Sequence, residues 1–399
     1  MSASPRFLVL ILALLLGLQP LTTDLYLPAL PFITSSLEAS LNQSQLTLSA
    51  LMMAFGASQL IWGPVSDRYG RRPILLVGLA AYTLAAIAAA LAPSMELLIM
   101  WRVVQGAAMG AVVMCARALV RDLYDNPVEA ARIMSQALTG LGVAACVSTP
   151  IGGLITAWLG WRAALLFLVI MGAITLAVIA WRIDETLRAP DHDSLRPARL
   201  WRTWSTILGN HTFWSFSLLQ TASYGGLFIF LASSSFVFIE YLGMSTAAYG
   251  VLMFSTAIAY IGGTLLCRRL LLRLSVQRTV ALGGLLSITG GSLMALFALA
   301  GWHNLAALML PFYLYMISHG INQPCAQSSV MIPFPKAAGA ASALSAFVMV
   351  VGAFIIGQWL GQAMNGSATP MALGIWLSSL AVAATSWGLA ARVDLYRPT

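Results

Sequence analysis

Long apolar runs separated by short polar breaks repeat along almost the whole chain. Residues 46–62 and 74–92 contain no charged side chain, and as helices both are long enough to cross roughly 30 Å of hydrocarbon. By the same criterion, the pattern predicts twelve membrane-spanning helices in an all-α polytopic membrane protein. The predicted spans are residues 7–33, 44–66, 74–92, 96–120, 132–157, 162–181, 211–239, 246–266, 279–299, 304–327, 338–363 and 370–391.

Composition agrees with this pattern and excludes a large water-soluble domain. Of the 399 residues, 59% are hydrophobic and 9% are charged, whereas a soluble domain has about 25% charged residues. The formal net charge of +8 comes from arginines spread over particular loops. No single basic face results, so we expect no binding to nucleic acid.

The distribution of charge predicts the orientation in the membrane. Nearly all basic residues fall in the even-numbered loops and the termini, whereas the opposite side has Arg162 with Glu38, Glu96 and Glu240. By the positive-inside rule, both termini are cytoplasmic. The apolar run after Arg6 lacks a small-residue cleavage site, so we expect it to remain as the first span. These features predict a multi-pass membrane protein surrounded by the lipid bilayer.

The longest polar stretch divides the spans six and six. It predicts an N-terminal bundle at residues 1–183, a cytoplasmic linker at 184–210 and a C-terminal bundle at 211–399. The two halves share weak internal similarity, because the turn at residues 63–68 recurs at 263–268 with a cysteine in place of the aspartate. Duplicated bundles of this kind are typical of transporters.

A charged, glycine-broken segment at residues 63–73, predicted to be a loop, connects the second and third spans. Its glycines allow helix ends to approach closely, and its acid and bases are able to form a latch that breaks when the halves move. The pattern Gly63-x-x-x-Asp67-Arg68-x-Gly70-Arg71-Arg72-Pro73 resembles the signature loop of the major facilitator superfamily. A generic positive-inside turn is the alternative, but it explains only the arginines.

This resemblance implies a fold of twelve helices in two six-helix bundles and a role for each latch residue. Asp67 would cap the helix that begins near Ala338, and Arg71 would pair with Asp122 after the fourth span. Arg117 is expected to lie in the same latch near Asp122. The predicted cytoplasmic latch comprises Gly63, Asp67, Arg68, Gly70, Arg71, Arg72, Arg117 and Asp122.

Asp24 is the one acidic residue well inside a predicted span. An ionised carboxylate in hydrocarbon costs several kcal/mol, so we interpret Asp24 as a group that binds and releases a proton. A structural aspartate paired with an arginine is the alternative. The run from Asp24 to Pro31, Asp-x-Tyr-x-Pro-Ala-x-Pro, resembles the first-helix motif of twelve-span drug:proton antiporters, particularly the bicyclomycin and chloramphenicol resistance exporters.

Arg102 in the fourth span is the predicted partner of Asp24, since their depths in the membrane differ by only about 5 Å. The segment around Arg102 resembles the fourth-helix motif of the same family, in which the arginine takes part in proton coupling; a purely structural ion pair is the alternative. Residues 142–153 of the fifth span resemble the antiporter motif imperfectly, because Thr149 replaces a glycine. The predicted helix-packing residues are Gly106, Gly110, Pro150, Gly152 and Gly153.

Ligand sites are mostly apolar with a few placed polar groups, and the aromatic, glycine-rich seventh span resembles that of the same exporters. The substrate candidates are Tyr26, Gln220, Tyr224, Phe228, Asn322 and Gln323, although packing or lipid-facing roles are the alternative for each. The four cysteines, Cys115, Cys146, Cys267 and Cys325, fall inside predicted spans or, for Cys267, directly at the end of one. They show no pairing or metal-ligand spacing, and we interpret them as packing residues.

The resemblance implies proton-coupled efflux of small amphipathic compounds by alternating access in the bacterial inner membrane. The compounds would be multidrug substrates or molecules like chloramphenicol and bicyclomycin. A specific transporter of a nucleoside, sugar or amino acid is the alternative, and a non-transporting membrane sensor or scaffold is a more remote one. No nucleophile-base pair, metal cluster or phosphate loop occurs in the sequence, so we expect no enzyme activity and no metal. The expected partners are a small-molecule substrate and protons. We expect the proton gradient to supply the energy without a cofactor, and we expect the protein to be a monomer.

Overall fold

All regular secondary structure is helical in the computed structural model, which describes residues 5–124, 126–187, 189–335 and 337–393. The helices are α1 (Pro5–Asp24), α2 (Leu30–Ser36), α3 (Leu41–Tyr69), α4 (Arg71–Ala90), α5 (Met95–Leu123), α6 (Pro127–Leu159), α7 (Trp161–Arg182), α8 (Pro197–Leu208), α9 (His211–Ser235), α10 (Thr246–Leu271), α11 (Val276–Leu299), α12 (Leu305–Met331), α13 (Ala338–Ala363) and α14 (Thr369–Ala384). Twelve helical segments of the described chain are long and apolar enough to cross a membrane, which confirms the predicted number and the all-α fold class.

The first span is broken, although its apolar pattern runs on continuously. Helix α1 ends at Asp24, a short 3-10 helix follows at Leu27–Ala29, and α2 completes the span. Pro28 causes the break, because it has no N–H group to bond the carbonyl of Asp24 and its ring excludes that carbonyl. Asp24 therefore lies at the carboxyl end of a half-helix within the span.

The charged segment at residues 63–73 is mostly helical, so its prediction as a loop is wrong. Helix α3 continues through Asp67 to Tyr69, and only Gly70 interrupts the chain before α4 begins, with a φ of +102°. Hydropathy marks where hydrocarbon ends, whereas backbone hydrogen bonds extend a helix into water beyond that point.

The predicted linker, apart from Arg188, lies within the described residues and contains the short helix α8. Leu200, Trp204 and Ile207 recur on one face of α8, which explains why a helix forms there without spanning length. The chain divides into two compact units, Met1–Leu200 and Trp201–Thr399.

Each unit is a bundle of six membrane-spanning segments. In the first unit, α5 packs against α3 and α4, α1 packs against α6, and α4 packs against α7. In the second unit, α9 packs against α12, α13 and α14, while α11 packs against α12 and α14, and α10 packs against α12. These contacts place the candidate residues of each unit on facing helices.

Candidate functional site

A fully buried arginine lies at the centre of the first unit. Arg102 of α5 donates hydrogen bonds from Nη1 to Oε1 of Gln105 and from Nη2 to the backbone carbonyl of Thr22, each 3.0 Å long. Its guanidinium carbon lies 4.3 Å from the ring centroid of Tyr26. Thr22 is in the last turn of α1, where carbonyl groups carry the negative end of the helix dipole. The cation is therefore balanced by a helix end and an aromatic face.

Buried hydroxyl groups extend this arrangement across four helices. Thr22 Oγ1 and the Tyr82 hydroxyl share a hydrogen bond of 2.6 Å, and the Tyr26 hydroxyl donates to Oγ1 of Thr47 at 3.0 Å. We name the group Thr22, Tyr26, Thr47, Tyr82, Arg102 and Gln105 the Arg102 cluster. Of these partners, the sequence analysis singled out only Tyr26, although Gln105 is recognisable by its position one helical turn after Arg102.

Asp24 and Arg102 form no ion pair in the described chain, so the predicted pairing is wrong for this structure. Asp24 accepts a hydrogen bond from Oγ1 of Thr23 at 2.7 Å and is partly exposed, whereas the neighbouring Tyr26 is fully buried. Because α1 ends at Asp24, the carbonyl of Thr22 takes the position facing Arg102 that a carboxylate was expected to occupy. The proton-coupling roles of Asp24 and Arg102 remain predictions.

Arg71 joins the ends of three helices in the predicted latch. Its side chain is 2% exposed; Nε donates to Oδ2 of Asp122 at 2.8 Å, and Nη2 donates to Oδ1 of Asp67 at 2.5 Å. Nη1 donates to Oγ of Ser66 at 2.6 Å. The structure thus places Arg71 and Asp122 in the predicted contact, and Asp67 beside them. Whether this contact breaks during transport stays a prediction, as does the capping role of Asp67 at Ala338.

Arg121, and not Arg117, is the second arginine of the latch. Arg121 Nε lies 3.8 Å from Oδ1 of Asp122, and its Nη2 lies 3.6 Å from Oδ1 of Asp67. Arg117 makes no ion pair with Asp122 among the described residues. Arg117 is five positions before Asp122, a rotation of about 140° around α5, so the two side chains lie on different faces of the helix.

The remaining latch residues make contacts of different kinds. Arg72 donates from Nη2 to the carbonyl of Ala180 at 2.9 Å, which ties α4 to α7. Arg68 lies over the ring of Tyr69 at 5.4 Å. A Cβ atom at Gly63 would make an ordinary contact with Met114 of α5, so space alone does not require glycine there.

Glu185, which the sequence analysis missed, caps the amino end of α4. Its carboxylate accepts hydrogen bonds from the backbone N–H groups of Arg71 at 2.9 Å and Arg72 at 3.2 Å. Helix α4 has no side-chain cap of its own from Gly70, and a Cβ atom at Gly70 would collide with Glu185 Oε2. The sequence signal for Glu185 is an acidic residue directly after the sixth span, which could cap a helix whose first residues are basic.

Glu185→Gln is expected to lower the apparent melting temperature in detergent by about 2–4 °C at pH 7. Desolvation acts to raise the pKa of Glu185, but four backbone N–H groups outweigh it and hold the pKa below its ordinary value. A carboxyl whose pKa is lowered by folding stabilises the fold above its unfolded pKa, and that stabilisation is lost as pH falls through the folded pKa. The difference from wild type should therefore shrink below about pH 4.

The matched control is Glu38→Gln, since Glu38 is exposed and lies in the turn between α2 and α3. We expect this variant to melt with wild type throughout the pH series. A Glu185→Gln difference that stays constant from pH 7 to the acid end would contradict the capping role.

Glycines bring helix backbones of the first unit into contact, as predicted for several of them. A Cβ atom at Gly106 would collide with the carbonyl oxygen of Leu51, and one at Gly110 would collide with Oγ of Ser58, so α5 needs both glycines against α3. Helix α6 continues through Pro150, and Gly153 is buried.

Gly152→Val is expected to destabilise the protein by about 1–3 kcal/mol. A Cβ atom at Gly152 would collide with the carbonyl oxygen of Leu25, in the break of the first span. Gly142→Val is the matched control, since Gly142 is in the same helix and has nothing within 4 Å of a Cβ position. Unfolding in a series of denaturing detergent concentrations compares the two variants. Equal stability of the two would show that close contact at Leu25 is unimportant.

Two of the predicted substrate residues converge in the second unit. Gln220 of α9 and Gln323 of α12 each direct Nε2 at the sulfur of Met349 of α13, at 3.6 and 3.7 Å. Ser345 donates to Oε1 of Gln220 at 2.8 Å, whereas Oε1 of Gln323 is buried without a hydrogen-bond partner in the described chain. Tyr224 lies near this group on α9 and is partly exposed.

The other substrate candidates are buried between helices. Phe228 is 1% exposed, and Tyr26 is fully buried beneath Arg102. Asn322 is also fully buried; it donates to Oγ of Ser318 at 3.1 Å and packs against Gly283 of α11. These positions argue for packing. Gln220 is also buried, at 3% exposed, so Tyr224 and Gln323 are the candidates that keep access to a ligand.

Comparison with known proteins connects this arrangement to membrane transporters. The family model described as Major Facilitator Superfamily matches residues 12–357. The chain is 30% identical to multidrug resistance protein D of Escherichia coli (strain K12) over 350 residues, 88% of this chain and 87% of that protein. It is 29% identical to a chloramphenicol resistance protein of Pseudomonas aeruginosa over 330 residues, 82% and 77% of the two chains.

Among solved structures, the fold is similar to that of a bacterial homolog of the human lysosomal transporter Spinster in an inward-facing and occupied conformation. The TM-score is 0.77 with 16% identity, covering 100% of both chains. At this identity the likeness concerns the fold alone.

Proposed function

The chain belongs to the major facilitator superfamily, as the match over residues 12–357 shows, and we propose that it exports small amphipathic compounds in exchange for protons. It is a multi-pass membrane transporter with twelve spans and not an enzyme. Relatives named for resistance to several drugs and to chloramphenicol support efflux of such compounds. The observation that carries the proton-coupled part of the proposal is the placement of Asp24.

Asp24 has the properties of a proton carrier. It is partly exposed, it lies at the carboxyl end of α1, and no cation balances it in the described chain. A negative charge at a helix carboxyl end is opposed by the helix dipole, and charge inside a membrane is costly. Proton uptake removes that charge at the break of the first span.

In the proposed cycle, Arg102 alternates between two partners. While Asp24 carries a proton, Arg102 binds the carbonyl of Thr22 and the face of Tyr26, as it does in this structure. When Asp24 releases its proton, the carboxylate attracts Arg102 and displaces the Thr22 carbonyl. Because Thr22 and Asp24 lie in the same turn, the exchange moves the broken segment of the first span and so couples protonation to a change of shape.

The substrate is proposed to bind at Tyr224 and Gln323, which are partly exposed, with the buried Gln220 beside them. The unpartnered oxygen of Gln323 favours a ligand with a hydrogen-bond donor beside its apolar part. The same oxygen supports the second candidate function, a transporter specific for a polar metabolite such as a nucleoside, sugar or amino acid.

The setting that we propose is a bacterial inner membrane with both termini in the cytoplasm, supported by the arginine-rich even-numbered loops. The protein would act as a monomer, and the proton gradient would supply the energy without another cofactor. On this orientation, the contacts of Arg71 with Asp67 and Asp122 hold helix ends together on the cytoplasmic side.

Transport by purified protein in liposomes tests the proposal. With an imposed pH gradient, we expect substrate movement against its gradient, reciprocal proton movement reported by a trapped pH-sensitive dye, and loss of both on addition of a protonophore. The assay compares transport of chloramphenicol with transport of a panel of nucleosides, sugars and amino acids. Transport of a compound that is insensitive to the protonophore would contradict proton coupling, and transport of one metabolite alone would favour the second candidate.

A further inference from the structure

Two buried cysteines of the second unit lie in direct contact. Cys267 of α10 and Cys325 of α12 have their Sγ atoms 3.4 Å apart, and their side chains are 3% and 2% exposed. The residues are 58 positions apart in the chain, which is why no cysteine spacing in the sequence marks them as a pair. The remaining cysteines, Cys115 and Cys146, lie in the first unit.

The backbones of α10 and α12 hold the two thiols together. A Cβ atom at Gly263 would collide with the carbonyl oxygen of Ile317, and a Cβ atom at Gly320 would lie only 2.5 Å from the carbonyl oxygen of Tyr260. Cys267 lies one helical turn after Gly263, on the same face of α10. The thiol pair therefore continues a contact in which the helices approach as closely as their backbones permit.

The pair also occupies a position that carries charge in the first unit. Cys267 corresponds to Asp67 in the repeated segment at residues 263–268. Asp67 is held by Arg71, whereas Cys267 is held by a second thiol. At this repeated position, the first unit thus has an ion pair and the second unit has a contact between two thiols.

We propose that Cys267 and Cys325 form an oxidisable dithiol that closes to an intramolecular disulfide. A disulfide needs about 2.05 Å between its sulfurs, so the two Sγ atoms must approach by roughly 1.4 Å. In the reaction, both thiols lose a proton, one S–S bond forms, and two electrons and two protons pass to a small membrane-permeant oxidant. When the oxidant is the reagent diamide, its N=N double bond takes up the two electrons and two protons and becomes the N–N single bond of a hydrazine, so atoms and electrons balance.

Closure would link α10 to α12 covalently. Since α10 and α12 already pack against each other within one unit, the bond would restrict their sliding without joining the two units. We expect the oxidised protein to have a higher apparent melting temperature than the reduced protein, because the cross-link constrains the unfolded chain.

Counting free thiols tests the proposal independently of transport. The purified protein is treated with diamide, or with copper-phenanthroline and oxygen, then denatured and alkylated with N-ethylmaleimide for intact mass measurement. Of the 4 cysteines, two should be alkylated after oxidation and all four after dithiothreitol treatment. Peptide mapping should find Cys267 and Cys325 in one linked pair of monomer-derived peptides.

Variants separate this pair from other disulfides. Cys267→Ser and Cys325→Ser should each bind three molecules of N-ethylmaleimide with or without oxidant. Cys146→Ser should bind one molecule after oxidation and three after reduction. Gel filtration verifies that each variant is folded. Four adducts on oxidised wild type with both oxidants, a disulfide that persists in Cys267→Ser, or linkage between two copies of the chain would each overturn the proposal.

Discussion

Asp24→Asn is expected to reduce pH-gradient-driven transport to the level of protein-free liposomes while the protein remains folded and binds substrate. Asparagine has nearly the shape of aspartic acid and accepts the hydrogen bond of Thr23 in the same way, but it takes up no proton. Proton movement and substrate movement should therefore be lost together. In addition, substrate affinity of the variant should not change with pH, because the proposed titrating group is absent.

The matched control is Glu240→Gln, which neutralises an acid at the end of the seventh span. We expect it to transport at the rate of wild type, and we expect Asp24→Glu to keep partial activity since it retains a carboxyl group. Full gradient-driven efflux by Asp24→Asn would rule out Asp24 as the proton carrier. Loss of folded protein, measured by gel filtration and substrate binding, would instead assign it a structural role.

Arg71→Gln is expected to destabilise the protein by about 3 kcal/mol and to impair transport. Arg71 is buried and bonds Asp67, Asp122 and Ser66, so its removal leaves two neighbouring carboxylates with only the exposed Arg121 as a counter-charge. Breaking a buried pair typically costs about 3–5 kcal/mol; we expect the lower end because Asp67 is 37% exposed. Unfolding followed by tryptophan fluorescence in denaturing detergent measures the change.

Arg121→Gln is the matched control for this prediction. Arg121 is 69% exposed and lies 3.6 and 3.8 Å from the same two acids, so its removal should cost at most about 1 kcal/mol. Combining Arg71→Gln with Asp122→Asn should recover part of the lost stability, because one uncompensated charge disappears. Equal stabilities of Arg71→Gln and Arg121→Gln would contradict the central position of Arg71 in the latch.

Features that depend on short stretches of chain were predictable. The number of spans follows from apolar runs, and the structure contains twelve such helical segments in its described residues. The contact of Arg71 with Asp122 was predicted from a long motif that resembles the superfamily signature, and the two groups lie 2.8 Å apart. By contrast, the segment at residues 63–73 was predicted to be a loop although it is mostly helical, because hydropathy does not register a helix that continues into water.

The partners of buried polar groups were much less predictable. The sequence suggested that Asp24 and Arg102 pair, since charges of opposite sign lie at similar depth. The break at Pro28 changes this outcome, because it presents the carbonyl of Thr22 to Arg102 instead. Glu185 escaped notice because its partners are backbone N–H groups, which no side-chain pattern reveals.

By itself, the sequence determined the twelve spans, the family and the charged motif, because apolar length and motif spacing are properties of a continuous stretch of chain. Only the tertiary structure decided the partners of Arg102, Glu185 and Cys267. These contacts join residues 80, 114 and 58 positions apart, so they depend on which helices pack together and on which face. Hydrophobic patterning does not specify that choice, since helices that are apolar all round have no distinct inner face.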